Sequence, residues 1–189
     1  MDSDAELYER VRRGDMAAFD ALYQRHEAPL FGFLLHLLRN RADAEEVFHE
    51  AFVAAFERKG ARERIDDGPG GGGFRAWLFR VGRNMALNRL RKAERGARAV
   101  ASLAILSPSS AEAERQADES IADRELAHAL ARAVTRLPPG LSEVYHLRTS
   151  GLSYEEMANV LEIPLGTLKT RMHQMVTKLR EDMKEWTAP

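Results

Sequence analysis

The sequence predicts an all-α protein of two small helical domains joined by a flexible linker, with a helix-turn-helix in the second domain. Apolar residues recur every three or four positions over most of the chain, which is the spacing of helices with one buried face. No segment shows the alternation expected of a half-buried strand. From Gly96 to about Asp123 the chain is rich in Ala, Ser, Glu and Asp, and this composition predicts the linker.

Composition restricts the classes of function. The chain has 189 residues, 44% of them hydrophobic, and 28 Lys and Arg balance 29 Asp and Glu to a net charge of −1. This balance argues against a protein that coats nucleic acid by bulk charge, but it allows local basic patches. The absence of cysteine excludes disulfide frameworks, Cys-ligated zinc, iron–sulfur clusters and thiol nucleophiles.

Two observations predict a cytoplasmic protein without membrane insertion. The longest apolar stretches, such as Leu34–Leu38, are far shorter than the roughly 18 residues of a membrane span. The acidic start Met1–Asp4 lacks the basic and then apolar order of a signal peptide.

The first domain is predicted to hold several amphipathic helices. The pattern over Ala17–Arg39 is helical, and Pro29 is expected to mark a new helix start or a kink. In Asp43–Arg58 a phenylalanine recurs every fourth position across Phe48–Phe56, so one face is broad and apolar while the other is acidic. The segment Asp66–Gly73, which ends in a run of four glycines, predicts a loop that interrupts a domain or joins two.

The next helix, Phe74–Arg91, is predicted to be basic. Eight basic residues face a single acid, Glu94, in this helix and just beyond it: Arg75, Arg80, Arg83, Arg89, Arg91, Lys92, Arg95 and Arg98. Basic groups beside the amides of Asn84 and Asn88 suit single-stranded nucleic acid. The aromatic residues Phe74 and Trp77 favour a core position over base stacking.

The second domain is predicted to contain four helical segments, namely Leu126–Leu137, Leu141–Thr149, Tyr154–Leu161 and Leu165–Lys184. Ser153 and Glu156 form a capping-box pattern, and Ile163-Pro164 then turns the chain. In the last helix the predicted buried stripe is Leu165, Leu168, Met172 and Met175, and the outward side chains are Thr167, Lys169, Thr170, Arg171, His173 and Gln174. Such a helix can enter the DNA major groove, although a helix pair used only for packing has the same pattern.

Three motifs also carry a family resemblance. Asp43–Phe52, Phe74–Asn84 and Leu137–Pro139, the last leading into the helix-turn-helix pattern, resemble bacterial extracytoplasmic-function (ECF) sigma factors, the small sigma-70 relatives. The resemblance covers nearly the whole chain except the linker and tail. It implies a region 2-like domain over 1–95, a linker over 96–124 and a region 4-like domain over 125–189.

The resemblance implies an alternative sigma factor that directs core RNA polymerase to specific promoters and melts them without bond chemistry or a cofactor. The implied polymerase-docking residues are Asp43, Glu46, His49 and Glu50. Those implied for the −10 element and melting are Phe74, Arg75, Trp77, Arg80, Arg83, Asn84, Asn88 and Arg91. Those implied for the −35 element are Gly166, Thr167, Lys169, Thr170, Arg171, His173 and Gln174. The implied partners are bacterial core polymerase, the −35 duplex, the −10 non-template strand and an anti-sigma factor.

Other classes of protein give different expectations. A two-domain helix-turn-helix regulator would bind an operator tightly without polymerase and leave the acidic helix without a role. Adjacent acids such as Glu45 and Glu46 diverge by about 100° on a helix, and the six histidines lack ligand spacing, so neither a catalytic pair nor a metal site is predicted. The glycine run lacks the Lys-Ser or Lys-Thr of a phosphate-binding loop. An interaction scaffold would show no polymerase binding.

Overall fold

A computed structural model describes residues 2–57, 73–100 and 121–184. Within these ranges all regular structure is helical. The helices are α1 (Asp4–Arg12), α2 (Met16–Leu38), α3 (Arg41–Glu57), α4 (Gly73–Val100), α5 (Ile121–Thr135), α6 (Pro139–Thr149), α7 (Tyr154–Leu161) and α8 (Leu165–Asp182). The predicted all-α fold is therefore confirmed over the described part of the chain.

The first four helices pack around an aromatic core. The Ser3 side chain caps α1 and that of Asp15 caps α2, as expected for short polar residues at helix starts. Phe48 and Phe52 of α3 are buried, and Phe79 of α4 packs on Phe33 of α2 with ring centroids 5.6 Å apart. Apolar periodicity thus positions α3 and α4 side by side, with their polar faces outward.

Helix α2 corrects the first of the two alternatives predicted at Pro29, a new helix start. No new helix starts at Pro29, because Met16–Leu38 is a single helix with the proline inside it. A proline removes one helical hydrogen bond, so an isolated helix would break there. Here Leu22 on one side of it and Leu30 and Phe33 on the other are all buried against the same core. Packing along both halves therefore offsets the lost bond.

The second unit contains the predicted helix-turn-helix. The side chain and backbone of Ser153 exchange hydrogen bonds with Glu156 in a complete capping box at the start of α7. Glu162 ends α7 in the left-handed conformation, with φ 55°. On α8 the buried side chains include Leu168 and Met172, so the opposite face points to solvent. The predicted capping box is confirmed, and so is the predicted buried stripe of α8, except that Leu165 is only partly buried.

The predicted loop and linker lie mostly outside the described residues. Gly73 opens α4 with φ 61°, and the rest of the glycine run is not described. Helix α4 continues to Val100 and α5 begins at Ile121. The limits of the linker and of the two domains stay predictions.

The two helical units pack directly on each other. One continuous cluster of buried side chains joins residues of α1–α4 to residues of α6–α8. Helix α7 lies against α4, and α6 lies against α2. This contact covers part of the basic helix, and the apolar pattern of neither unit indicated it.

Candidate polymerase and nucleic-acid interfaces

The acidic side of α3 is a surface feature. Glu46, His49 and Glu50 are exposed and Asp43 is partly exposed, whereas Val47 and Phe48 point into the core. Asp43, Glu46 and Glu50 follow one another at spacings of three and four, which places their carboxylates along one face. The His49 ring lies edge-on to Phe48, with centroids 5.5 Å apart. The four predicted docking residues therefore lie together.

Arg89 of α4 holds two of these acids. Its Nε lies 2.8 Å from Asp43 Oδ1, and its Nη2 pairs with Glu46 Oε2. The hydrogen bond to Glu46, with its negative charge and that of Asp43, raises the pKa of Arg89. The acidic surface is thus joined to the basic helix by an ion pair that the apolar spacing did not indicate.

The residues predicted for the −10 element fall into three groups on α4. Phe74 and Trp77 are buried, with 1% and 7% of their surface exposed, which confirms that they belong to the core. In this conformation neither ring can stack on a base. Arg75, Arg80 and Arg83 are partly covered by the second unit. The solvent-facing members are Asn84, Asn88 and Arg91.

The exposed members form one row along α4. Asn84, Asn88 and Arg91 are spaced by four and three residues, so their side chains share a face. Arg91 Nη1 donates a hydrogen bond to Asn88 Oδ1 at 3.3 Å. Lys92 and Arg95, further along the helix, are also exposed. Amides and cations at this spacing can contact phosphates and base edges of a separated strand.

The covered arginines make specific bonds to α6 and α7. Arg75 donates two hydrogen bonds to the Glu156 carboxylate, from Nε at 3.0 Å and from Nη2 at 2.9 Å. Arg83 Nη2 donates to Glu143 Oε2 at 3.1 Å, and Arg80 Nη1 to Asn159 Oδ1 at 3.1 Å. Three predicted DNA-binding side chains are therefore occupied by the chain itself.

A histidine pair lies in the same contact between the units. The rings of His36 on α2 and His146 on α6 stack at 3.5 Å, and His36 Nε2 shares a 3.1 Å hydrogen bond with the Ser142 hydroxyl. Burial, with the charge of Arg39, lowers the pKa of His36 to about 4. Burial, with the charge of His36, lowers that of His146 to about 4. Both rings are neutral at pH 7, and sequence analysis singled out neither because 110 positions separate them.

Most of the predicted −35 residues point outward from α8. Six of the seven are exposed and Arg171 is partly buried. The Thr170 hydroxyl donates to the Gly166 carbonyl at 3.1 Å, one turn back. The six exposed residues lie away from Leu168, Met172 and Met175, which are buried, whereas Arg171 follows Leu168 by three residues and lies at the edge of the buried stripe. This surface has the position and polarity of a major-groove reader.

Comparison with known families decides what this arrangement belongs to. The model of sigma-70 region 2 matches residues 22–96, and that of sigma-70 region 4 matches residues 127–179. The RNA polymerase sigma-H factor of Pseudomonas aeruginosa is 30% identical over 183 residues, covering 90% of this chain and 89% of the relative. The chain belongs to the sigma-70 family. Matches to named ECF sigma factors place it in the ECF class.

Two ECF relatives illustrate the match. The sigma factor SigW of Bacillus subtilis is 26% identical, over 93% of this chain and 94% of SigW. The sigma-E factor of Escherichia coli is 28% identical, over 90% and 88% of the two chains. As a sigma-70 family member with regions 2 and 4, this sigma factor directs RNA polymerase to promoters and initiates transcription.

Solved structures agree with the fold. CnrH, in complex with the cytosolic domain of CnrY, matches at TM-score 0.64 and 26% identity, covering 99% of this sigma factor and all of CnrH. The sigma factor RpoE of Bartonella quintana, in complex with the anti-sigma factor NepR, matches at TM-score 0.67 and 23% identity, over 87% and 95% of the two chains. No helix in the described part of the sigma factor is both long and apolar enough to span a membrane. The same ranges hold no cluster of three or more metal-ligating side chains.

Proposed function

We propose that the sigma factor divides promoter recognition between α8 and α4. The observation that carries this proposal is the exposed row on α8 opposite its buried stripe, which gives a polar helix face free to enter the −35 major groove. The row Asn84, Asn88 and Arg91 on α4 would hold the −10 non-template strand after melting. Arg75, Arg80 and Arg83 would join that surface once the second unit moves away. Phe74 and Trp77 would support it from the core.

The acidic side of α3 is the proposed surface for core polymerase. Complementary charge steers association and fixes register, and these carboxylates project from a helix whose other side is anchored by phenylalanines. The same assignment makes the chain a cytoplasmic bacterial protein that performs no bond chemistry. It also implies control by an anti-sigma factor, the kind of partner that accompanies the RpoE relative.

Transcription with purified core polymerase on a promoter library tests the proposal. We expect specific initiation that depends on the added chain, and weak binding to duplex DNA without polymerase because the net charge is only −1. Tight and specific binding to DNA without polymerase would instead favour a helix-turn-helix regulator. Failure to bind polymerase would favour a scaffold.

Replacement of Glu50 by Lys should weaken the polymerase complex about five- to tenfold, because a complementary charge becomes repulsive. Glu50 is preferred to Glu46, whose reversal would also break the pair with Arg89. Copurification with core enzyme measures the effect. Glu27→Lys, at an exposed acid of α2 outside the predicted docking set, is the matched control. Equal loss in both variants would contradict a docking role for α3.

Replacement of Asn84 by Ala should leave polymerase association intact and lower open-complex formation severalfold, because a polar contact to the separated strand is lost. Asn84 is exposed, whereas Arg80 bonds to Asn159, so only the asparagine variant leaves the contact between the units intact. Permanganate reactivity of thymines near the start site measures melting. Reactivity equal to wild type would argue against the role of α4.

A further inference from the structure

The basic helix α4 turns its covered side toward acids of the second unit. The guanidinium of Arg75 is bound through two nitrogens by the Glu156 carboxylate, and Arg83 pairs with Glu143. A guanidinium held in this fork geometry satisfies the same donors that would otherwise reach the oxygens of a phosphate. The carboxylates therefore use the donors that a phosphate group would need.

The surroundings screen these pairs less than water screens pairs on an exposed surface. The side chains of Glu156 and Glu143 are only 14% and 13% exposed, and that of Arg83 is 16% exposed. Salt screens such partly buried pairs less than exposed ones. Apolar side chains of both units continue around them in one cluster. The charge pairs thus lie within a packed interface.

We propose that the free sigma factor is closed by an autoinhibitory contact in which Glu143 and Glu156 occupy the α4 arginines and exclude nucleic acid. The occluded site rests on the proposed function, whereas the closure itself does not. The closed chain must open before Arg75, Arg80 and Arg83 can bind a DNA strand. The apparent affinity of the free chain for nucleic acid is therefore the affinity of the open form multiplied by the fraction of chains that are open.

The conformational test uses the absence of cysteine from the chain. Val53 on α3 and Val176 on α8 are 51% and 37% exposed and belong to different units, so Val53→Cys and Val176→Cys allow two spin labels to report their separation. We expect a narrow distance distribution for the otherwise unchanged protein without polymerase. Adding Glu143→Gln and Glu156→Gln should broaden it toward longer distances.

The substitutions are chosen to preserve each helix. Glutamine at position 156 can still complete the capping box with Ser153, so α7 keeps its start. Glu125→Gln with Glu181→Gln is the control, since it removes the same charge from exposed positions of the same unit. Helical circular dichroism should be unchanged in every variant. The closure would be contradicted if the distribution of label distances stayed narrow in the Glu143→Gln, Glu156→Gln variant. It would also be contradicted if the distribution were already broad without these two substitutions.

Binding separates the closure from the site that it covers. A fluorescent single-stranded oligonucleotide of about 15 nucleotides should bind the Glu143→Gln, Glu156→Gln variant about tenfold more tightly than wild type. The Glu125→Gln, Glu181→Gln control should change little. If the Glu143→Gln, Glu156→Gln variant opens but binds the oligonucleotide no more tightly than the control variant, the nucleic-acid role of the α4 arginines and the exclusion of DNA are both contradicted. The closed conformation of the free chain would still be supported by the distance measurement.

Discussion

Replacement of Arg171 by Ala is expected to cost roughly 1–3 kcal/mol, about 5- to 150-fold in affinity, at one base pair of the −35 element. Arg171 is partly buried at the edge of the exposed row of α8, and an arginine on a helix in the major groove can form two hydrogen bonds with a guanine edge. Loss of those bonds removes the preference at that position and leaves the others unchanged. Transcription across a set of −35 variants, with polymerase present, measures this change.

Lys169→Ala is expected to act differently from Arg171→Ala, because a lysine more readily contacts a phosphate than a base edge. The affinity for all promoters should fall about equally. The slope of log affinity against log salt concentration should become shallower by about one. Arg124→Ala and Arg132→Ala, at exposed positions of α5 outside the predicted −35 set, are the matched controls. Both control variants should keep promoter affinity.

A template with a pre-melted −10 bubble should partly rescue both variants, since recruitment through α8 then limits initiation less. If Arg171→Ala impaired opening of the bubble region but left −35 preference unchanged, the proposed division between α4 and α8 would be wrong.

Local sequence patterns predicted the parts of the fold that depend on one helix. Ser153 with Glu156 marked the start of α7, and the four-residue spacing across Phe48–Phe56 marked the buried side of α3. These features follow from helix capping and from the regular spacing of apolar residues, and both depend only on residues that are close together in the sequence. Pro29 was the exception, because burial on both sides of it depends on tertiary packing.

The contact between the units could not be predicted in this way. Arg75 and Glu156 are 81 positions apart, and each has an ordinary interpretation alone, the first as a DNA contact and the second as a helix cap. A charged side chain in a sequence indicates a polar surface but not its partner. The candidate site residues were named from the sequence and stay predictions, whereas the bonds of Arg75, Arg80 and Arg83 to α6 and α7 required the packed structure.

Acidification should open the free sigma factor through His36 and His146. Their pKa values are lowered from the ordinary 6.5 to about 4 in the closed chain, so separation of the units lets both rings bind protons more readily. The contribution of these two histidines to the stability of the closed form is thus complete above pH 6.5, decreases as the pH falls below 6.5, and stops decreasing below about pH 4. His146 Nε2 is buried without a hydrogen-bond partner among the described residues, so a proton there would lack an acceptor.

Between pH 7.5 and 5 we expect the open-to-closed ratio to rise about tenfold for each histidine, a value that allows for the water each ring still contacts. Arg39 is the charged group that acts on His36, and His36 is the group that acts on His146. Because the ring centroids are 3.5 Å apart, protonation of both rings would add repulsion between them. Spin labels at positions 53 and 176 measure the response. His36→Gln with His146→Gln should flatten it and leaves His26, His49, His128 and His173 in place as internal controls. An equal pH response in that variant would assign the effect to those other groups and contradict a role for the stacked pair.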